Sequence, residues 1–255
     1  MKAAALPFAA AALLLLAGCA TNSDTLPNAR PNLHQAARIN TQLGIDYMRQ
    51  GDDQRALTKL KRALSEEPDL AEAHAALGYL YSQTGQPHDA KREFKRALSL
   101  KGDAQTRNLY GVFLCGQKHF KKAFQQFEAA AGDQNNDQPE VALTNAGVCA
   151  RQRSDDARAR RFFHRALQDN TRYAPALLQM ADVSYQQGRY QQAEGFMQQY
   201  QSVASSSAES LYLAYRIEKA LGRDDVAKAY RRKLISKYPN SNQTAQLLGT
   251  QRHEQ

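Results

Sequence analysis

Leu77-Gly78-Tyr79-Leu80-Tyr81 stands 34 residues after Leu43-Gly44-Ile45-Asp46-Tyr47, and the residues after each pentapeptide repeat as well. A glycine comes next (Gly51, Gly85), then an alanine (Ala56, Ala90), a large apolar residue (Leu60, Phe94) and a second alanine (Ala63, Ala97). The first of these alanines continues as Ala123, Ala159, Ala193 and Ala227, so that the intervals from Ala56 onward are 34, 33, 36, 34 and 34 residues. Such self-similarity marks a stack of supersecondary units, each burying its apolar face against the next. Within a cycle the apolar residues recur at spacings of three and four, which places them on one helical face. Gly44, Gly78, Gly111, Gly147 and Ala181 occupy the point where a first helix must approach its partner, and the interior alanines do the same from the second helix. Gly51, Gly85, Gly188 and Gly222 are expected to stop the first helices in a left-handed cap; Pro68 and Pro239 follow second helices. The spacing predicts helix pairs over 36–66, 70–100, 104–131, 139–168, 173–204 and 206–237. The one long interval spans the hydrophilic stretch Gly132-Asp133-Gln134-Asn135-Asn136-Asp137-Gln138-Pro139, a loop insertion between the third and fourth cycles.

This pattern resembles the tetratricopeptide repeat (TPR) family over nearly all of Ala37 to Asn240. The resemblance implies an all-α fold, a right-handed TPR superhelix of six helix-turn-helix repeats. The sixth repeat departs most, with Tyr215 at the small-residue position and Arg231 at a usual aromatic one. In the family, stacked first helices line a concave groove. Carried onto this chain, the groove positions are Thr41, Ile45 and Met48 in repeat one and Ala75, Tyr79 and Ser82 in repeat two. Asn108 and Val112 follow in repeat three, and Thr144, Val148 and Arg151 in repeat four. That mixture suits an extended or helical peptide with apolar anchors. It lacks the lysines of a clamp for a terminal carboxylate.

At the front, Lys2 precedes an apolar stretch from Ala3 to Leu16, shorter than the about 20 residues of a comfortable bilayer span, which runs into Leu16-Ala17-Gly18-Cys19. Small residues before a cut site mark signal cleavage, and a cysteine after Leu-Ala-Gly resembles the bacterial lipobox, against the alternative of an ordinary signal peptide with an incidental cysteine. The resemblance implies lipidation of Cys19, and Ala20 after it favours outer-membrane sorting. The expected organisation is a signal peptide over 1–18, a lipidated N-terminus and flexible tether over 19–35, the repeat domain over 36–240 and a C-terminal tail over 241–255.

The chain carries 34 basic and 25 acidic residues; without Lys2, 33 minus 25 leaves +8. For an exported chain this balance points to acidic proteins, anionic lipid or glycan rather than nucleic acid. The basic clusters Lys91-Arg92, Lys121-Lys122, Arg151 with Arg153, Arg158, Arg160 and Arg161, and Arg231-Arg232-Lys233 fall mostly on second helices. They form a solvated outer face or a contact with an anionic partner. Cys115 and Cys149 remain once Cys19 is lipidated. In an oxidising compartment such a pair reads as a disulfide, or as two buried apolar thiols. The six histidines form no His-x-x-x-His arrangement, and neither a Cys-x-x-Cys motif nor a Gly-x-Ser-x-Gly elbow occurs. The expectation is therefore a protein that is not an enzyme, with no metal, cofactor or small-molecule substrate.

The whole arrangement of lipobox, short polar tether and six TPRs is similar to the type IV pilus biogenesis and stability lipoproteins of the PilF/PilW family. The supporting stretches include Gln42 to Tyr47, Ala71 to Leu77, Asn108 to Cys115 and Ala176 to Asp182. The resemblance implies a pilotin-like, lipid-anchored scaffold on the periplasmic side of the outer membrane. Its partner would be the outer-membrane secretin of the pilus system, whose localisation or multimerisation it assists. In some members cysteines of the third and fourth repeats are bridged, which implies the same of Cys115 and Cys149. The competing readings are a general periplasmic scaffold or chaperone in envelope assembly, and an accessory subunit of a cell-wall enzyme.

Overall fold

The computed structural model describes residues 32–250; the expectations for the signal peptide and for Cys19 lie outside them. The described chain is all helix. Six pairs run α1 (Leu33–Arg49) with α2 (Asp53–Glu66), α3 (Ala71–Gln83) with α4 (Pro87–Leu100), α5 (Ala104–Gly116) with α6 (Phe120–Ala131), α7 (Pro139–Gln152) with α8 (Asp156–Asp169), α9 (Ala174–Gln186) with α10 (Tyr190–Val203) and α11 (Ala208–Ala220) with α12 (Asp224–Lys237). A last helix, α13, covers Asn242–Thr250.

Local chemistry starts and stops these helices. Asp52, Asp103 and Asp155 cap α2, α5 and α8 by accepting a hydrogen bond from the backbone N–H three residues on. Ser207 and Ser210 form a capping box on α11. Pro87, Pro139 and Pro175 sit in first turns, where a missing N–H costs nothing. Between the helices of a pair the backbone turns through a left-handed residue: Gly51, Gly85, Gly188 and Gly222 have φ of +75°, +74°, +73° and +74°. In repeats three and four the same turn is made by Lys118 (φ 59°) and Ser154 (φ 60°).

Each first helix contacts the next first helix, from α1 through α11, and each second helix contacts its partner and the following first helix. Successive second helices stand further apart and meet through side chains only, as where Phe124 of α6 stacks on Phe162 of α8 and Gln201 of α10 donates to the Tyr230 hydroxyl of α12. The first helices therefore form a tighter inner layer and the second helices a more open outer one. The contact within each of the first five pairs is a small residue against a large one sixteen positions later. A methyl placed on Gly147 would lie 2.3 Å from the Phe163 ring, on Gly111 2.7 Å from Phe127, on Gly44 2.7 Å from Leu60 and on Gly78 3.0 Å from Phe94. Phe94 and Phe163 are fully buried and Phe127 is 1% exposed; burial of such a ring contributes about 1.5–3 kcal/mol. In repeat five Ala181 faces Met197, a larger small residue matched by a more pliable large one.

Two boundaries differ from the sequence expectation. α1 begins at Leu33, inside the span assigned to the tether, and Asn242–Thr250 forms α13 where a tail was expected. Ser241 starts this helix by accepting from the Thr244 N–H (3.1 Å), and the Thr244 hydroxyl donates to the Tyr238 carbonyl (2.7 Å). Leu247, 1% exposed, packs with Leu211 and Leu234. α13 contacts α11 as each first helix contacts the one before it, so it covers the face the last repeat leaves open. One buried leucine among Asn, Gln and Thr residues gives little periodic signal.

Candidate partner-binding cleft

The inner layer opens into a cleft of about 610 Å³ where α1, α3 and the start of α5 meet. Ile45, Met48, Ala75, Tyr79 and Leu109 supply its apolar wall. The rim carries both signs of charge: Arg38 and Arg49 on α1, Glu72 on α3 and Asp103 at the cap of α5. Arg49 pairs with Asp46 at 3.0 Å, and Lys101 lies between Glu72 (3.8 Å) and Asp103 (3.7 Å). An apolar strip between opposite charges fits an amphipathic peptide whose charged ends meet the rim.

Five of the eleven expected groove positions meet here: Thr41, Ile45, Met48, Ala75 and Tyr79. Thr41 and Ala75 are nearly buried, and the Thr41 hydroxyl donates back to the Ala37 carbonyl, so these two shape the wall more than they offer a contact. Ser82 is half-buried and donates to the Tyr79 carbonyl. The other positions lie outside the cleft. Asn108 accepts a hydrogen bond from Asn145 across the third and fourth repeats, Val112 is 40% exposed and Val148 is half-buried. Thr144 is buried. Arg151 is held by the fifth repeat, donating to Gln179 at 2.7 Å and Asp182 at 2.6 Å. Its charge is thus already matched. The rim residues Arg38, Gln42 and Arg49 do not stand out in the sequence, although Arg38 lies one turn before Thr41, and Gln42 and Arg49 are the chain neighbours of Thr41 and Met48.

Two repeats along, Cys115 at the end of α5 and Cys149 in α7 form a disulfide, with α-carbons 5.9 Å apart. That separation is within the range the bond accepts. It ties the third repeat to the fourth across the loop insertion, which is itself held by Asn136 donating to the Ala130 carbonyl at 2.8 Å.

The tetratricopeptide repeat family profile matches residues 47–111 and 150–214, and a second profile of the same description matches 209–241. The chain is 31% identical over 228 residues to the type IV pilus assembly protein PilF of Pseudomonas aeruginosa, covering 89% of this chain and 90% of that one. This chain belongs to the PilF/PilW family. The crystal structure of PilW, a widely conserved type IV pilus biogenesis factor, superposes with a TM-score of 0.72 at 29% identity, over 84% of this chain and 99% of that one. A structure of Pseudomonas aeruginosa PilF gives 0.71 at 28% identity, over 86% and 99%. Like the PilF/PilW chains it matches, this is a TPR protein. Among the described residues no group of three or more His, Cys, Asp or Glu side chains stands together, and no helix is long and apolar enough to cross a membrane.

Proposed function

We propose that this protein is a lipid-anchored scaffold of a type IV pilus system, held at the periplasmic face of the outer membrane through Cys19, that assists localisation or multimerisation of the outer-membrane secretin. Near-full-length similarity to PilF, whose own name places it in type IV pilus assembly, carries the pilus reading. The cleft between repeats one and two supports the mode of action, since its apolar wall and two-signed rim suit a peptide segment of a larger protein. The eleven groove positions divide accordingly. Ile45, Met48 and Tyr79 make the contacts, Thr41 and Ala75 shape the wall, and the positions from Asn108 to Arg151 extend or brace the same surface. The signal peptide over 1–18 and the tether after it serve to deliver the repeats and let them reach a partner.

The test is capture of the secretin by the purified repeats. Tyr79→Asp combined with Val112→Asp is expected to weaken capture by about tenfold or more, the loss of one buried aromatic anchor, while the circular dichroism spectrum stays helical. Undiminished capture by the folded double variant places the interface elsewhere. The anchor has its own test: Cys19→Ala is expected to lose acyl labelling and leave the outer-membrane fraction. A wild-type chain that takes up no lipid label overturns it.

A further inference from the structure

The outer layer holds a second, smaller cleft of about 280 Å³ between α4, α5 and α6. α4 contributes Lys91 and Lys95, one turn apart, and α6 contributes Lys122 and Gln126, again one turn apart. His119, at the N-cap of α6, closes one end, and Tyr110 of α5 lines it from the inner layer. No Asp or Glu lines this cleft. Neighbouring basic side chains are ion-paired, Arg92 with Asp89 and Glu93 and Arg96 with Asp69, whereas Lys91, Lys95 and Lys122 pair with no carboxylate among the described residues. Like charges gathered around one depression repel, and the repulsion is relieved by an anion seated between them.

Two polar groups there are also without partners. Tyr110 is 7% exposed, and its hydroxyl has no hydrogen-bond partner among the described residues. Burial holds its phenol above the usual tyrosine range, so the group stays an O–H donor. The Gln126 side-chain oxygen is buried and has no partner either; a carboxamide can turn to present its N–H₂ instead. Buried polar atoms are paired in nearly all folded proteins, so the orphaned Gln126 oxygen beside three unpaired ammonium groups needs an explanation. A planar carboxylate carries one charge. A tetrahedral phosphate offers several strong acceptor oxygens and up to two charges, and lysine binds phosphate as a point charge without needing bidentate geometry.

We propose that the cleft bounded by Lys91, Lys95, Tyr110, Lys122 and Gln126 is a binding site for a phosphate-bearing group, either the headgroup of an anionic lipid or a soluble phosphate ester. It lies on the outer layer, away from the peptide cleft, and stands whether or not the secretin is the partner there.

The full-length lipidated protein, in an uncharged detergent at fixed ionic strength, is titrated calorimetrically with inorganic phosphate and with glycerol 3-phosphate. Saturable binding is expected. The combined substitution of Lys91, Lys95 and Lys122 by Gln is expected to weaken it by about tenfold or more, the scale of a charge-assisted hydrogen bond. A control with Lys61, Lys233 and Lys237 changed to Gln removes the same charge from other exposed helices and is expected to leave affinity within about twofold. Should the first triple variant fail to fold, Lys95→Gln alone gives the same direction with a smaller loss. Absence of saturable phosphate binding, equal losses in both triple variants, or acetate binding as tightly as phosphate would each overturn the site. Micelles doped with phosphatidylglycerol then identify the source: displacement of bound phosphate assigns a lipid headgroup, and no displacement assigns a soluble ester.

Discussion

Gly147 and Phe163 hold the tightest contact of the stack, and they set the first prediction. Gly147→Ala puts a methyl 2.3 Å from a ring atom that is fully buried and cannot swing away. Overpacking of this kind costs about 1–3 kcal/mol, and Gly78→Ala, with its 3.0 Å contact, is expected to cost less. Repeat five supplies the remedy, since Ala181 faces Met197 there. Phe163→Met in the Gly147→Ala background is expected to recover part of the loss, which urea unfolding of the four-variant cycle measures. Full additivity of the two changes would contradict this account of the contact. Glu218 sets a second prediction. Burial, together with the Glu194 carboxylate, holds it above the ordinary carboxylate range, while Arg223 pulls the other way. A carboxylate whose folded pKa is raised contributes stability at low pH and loses it as pH rises through that pKa. Glu218→Gln is therefore expected to raise the melting temperature at pH 7 and to give no gain below about pH 4.

At the scale of elements, the turns and the crosslink distinguish the middle of the stack. Lys118 and Ser154 adopt the left-handed turn that glycine makes in the other four repeats, at a cost of about 1–2 kcal/mol for a side-chain-bearing residue. Lys118→Gly and Ser154→Gly are each expected to stabilise by about 0.5–1 kcal/mol, since the flexibility of glycine in the unfolded chain offsets part of the gain. Repeats three and four, whose turns are the strained ones, are also those joined by Cys115–Cys149. Closing a loop with a sequence separation of 34 residues is worth about 3–4 kcal/mol in the chain-entropy model, and Cys149→Ser is expected to lower the unfolding free energy by an amount of that order. The helices themselves were legible because their signals are local and periodic: the glycine caps and the Gly44–Leu60 pairing recur at a constant interval. The left-handed Lys118 and Ser154 carry no such residue signal; only their place in the 34-residue register marks them. α13 was not legible because its one core residue, Leu247, has no periodic companion.

Over the whole stack, the cleft was half legible. Sequence register placed Ile45, Met48 and Tyr79 on a common face, because a repeat fixes which residues look inward. It could not tell that Arg151 is engaged by Asp182 or that Thr144 is buried, since both depend on how one repeat rotates against the next. Nor could it show that the open space concentrates between α1, α3 and α5. The central claim is that this space receives the secretin. A photo-crosslinking residue placed at Tyr79 in living cells, with the same residue at Lys61 on the outer layer for comparison, tests it most directly. The account predicts a covalent adduct with the secretin subunit from position 79 and none from position 61. An adduct from position 61 alone, or adducts from 79 only with other envelope proteins, would contradict it.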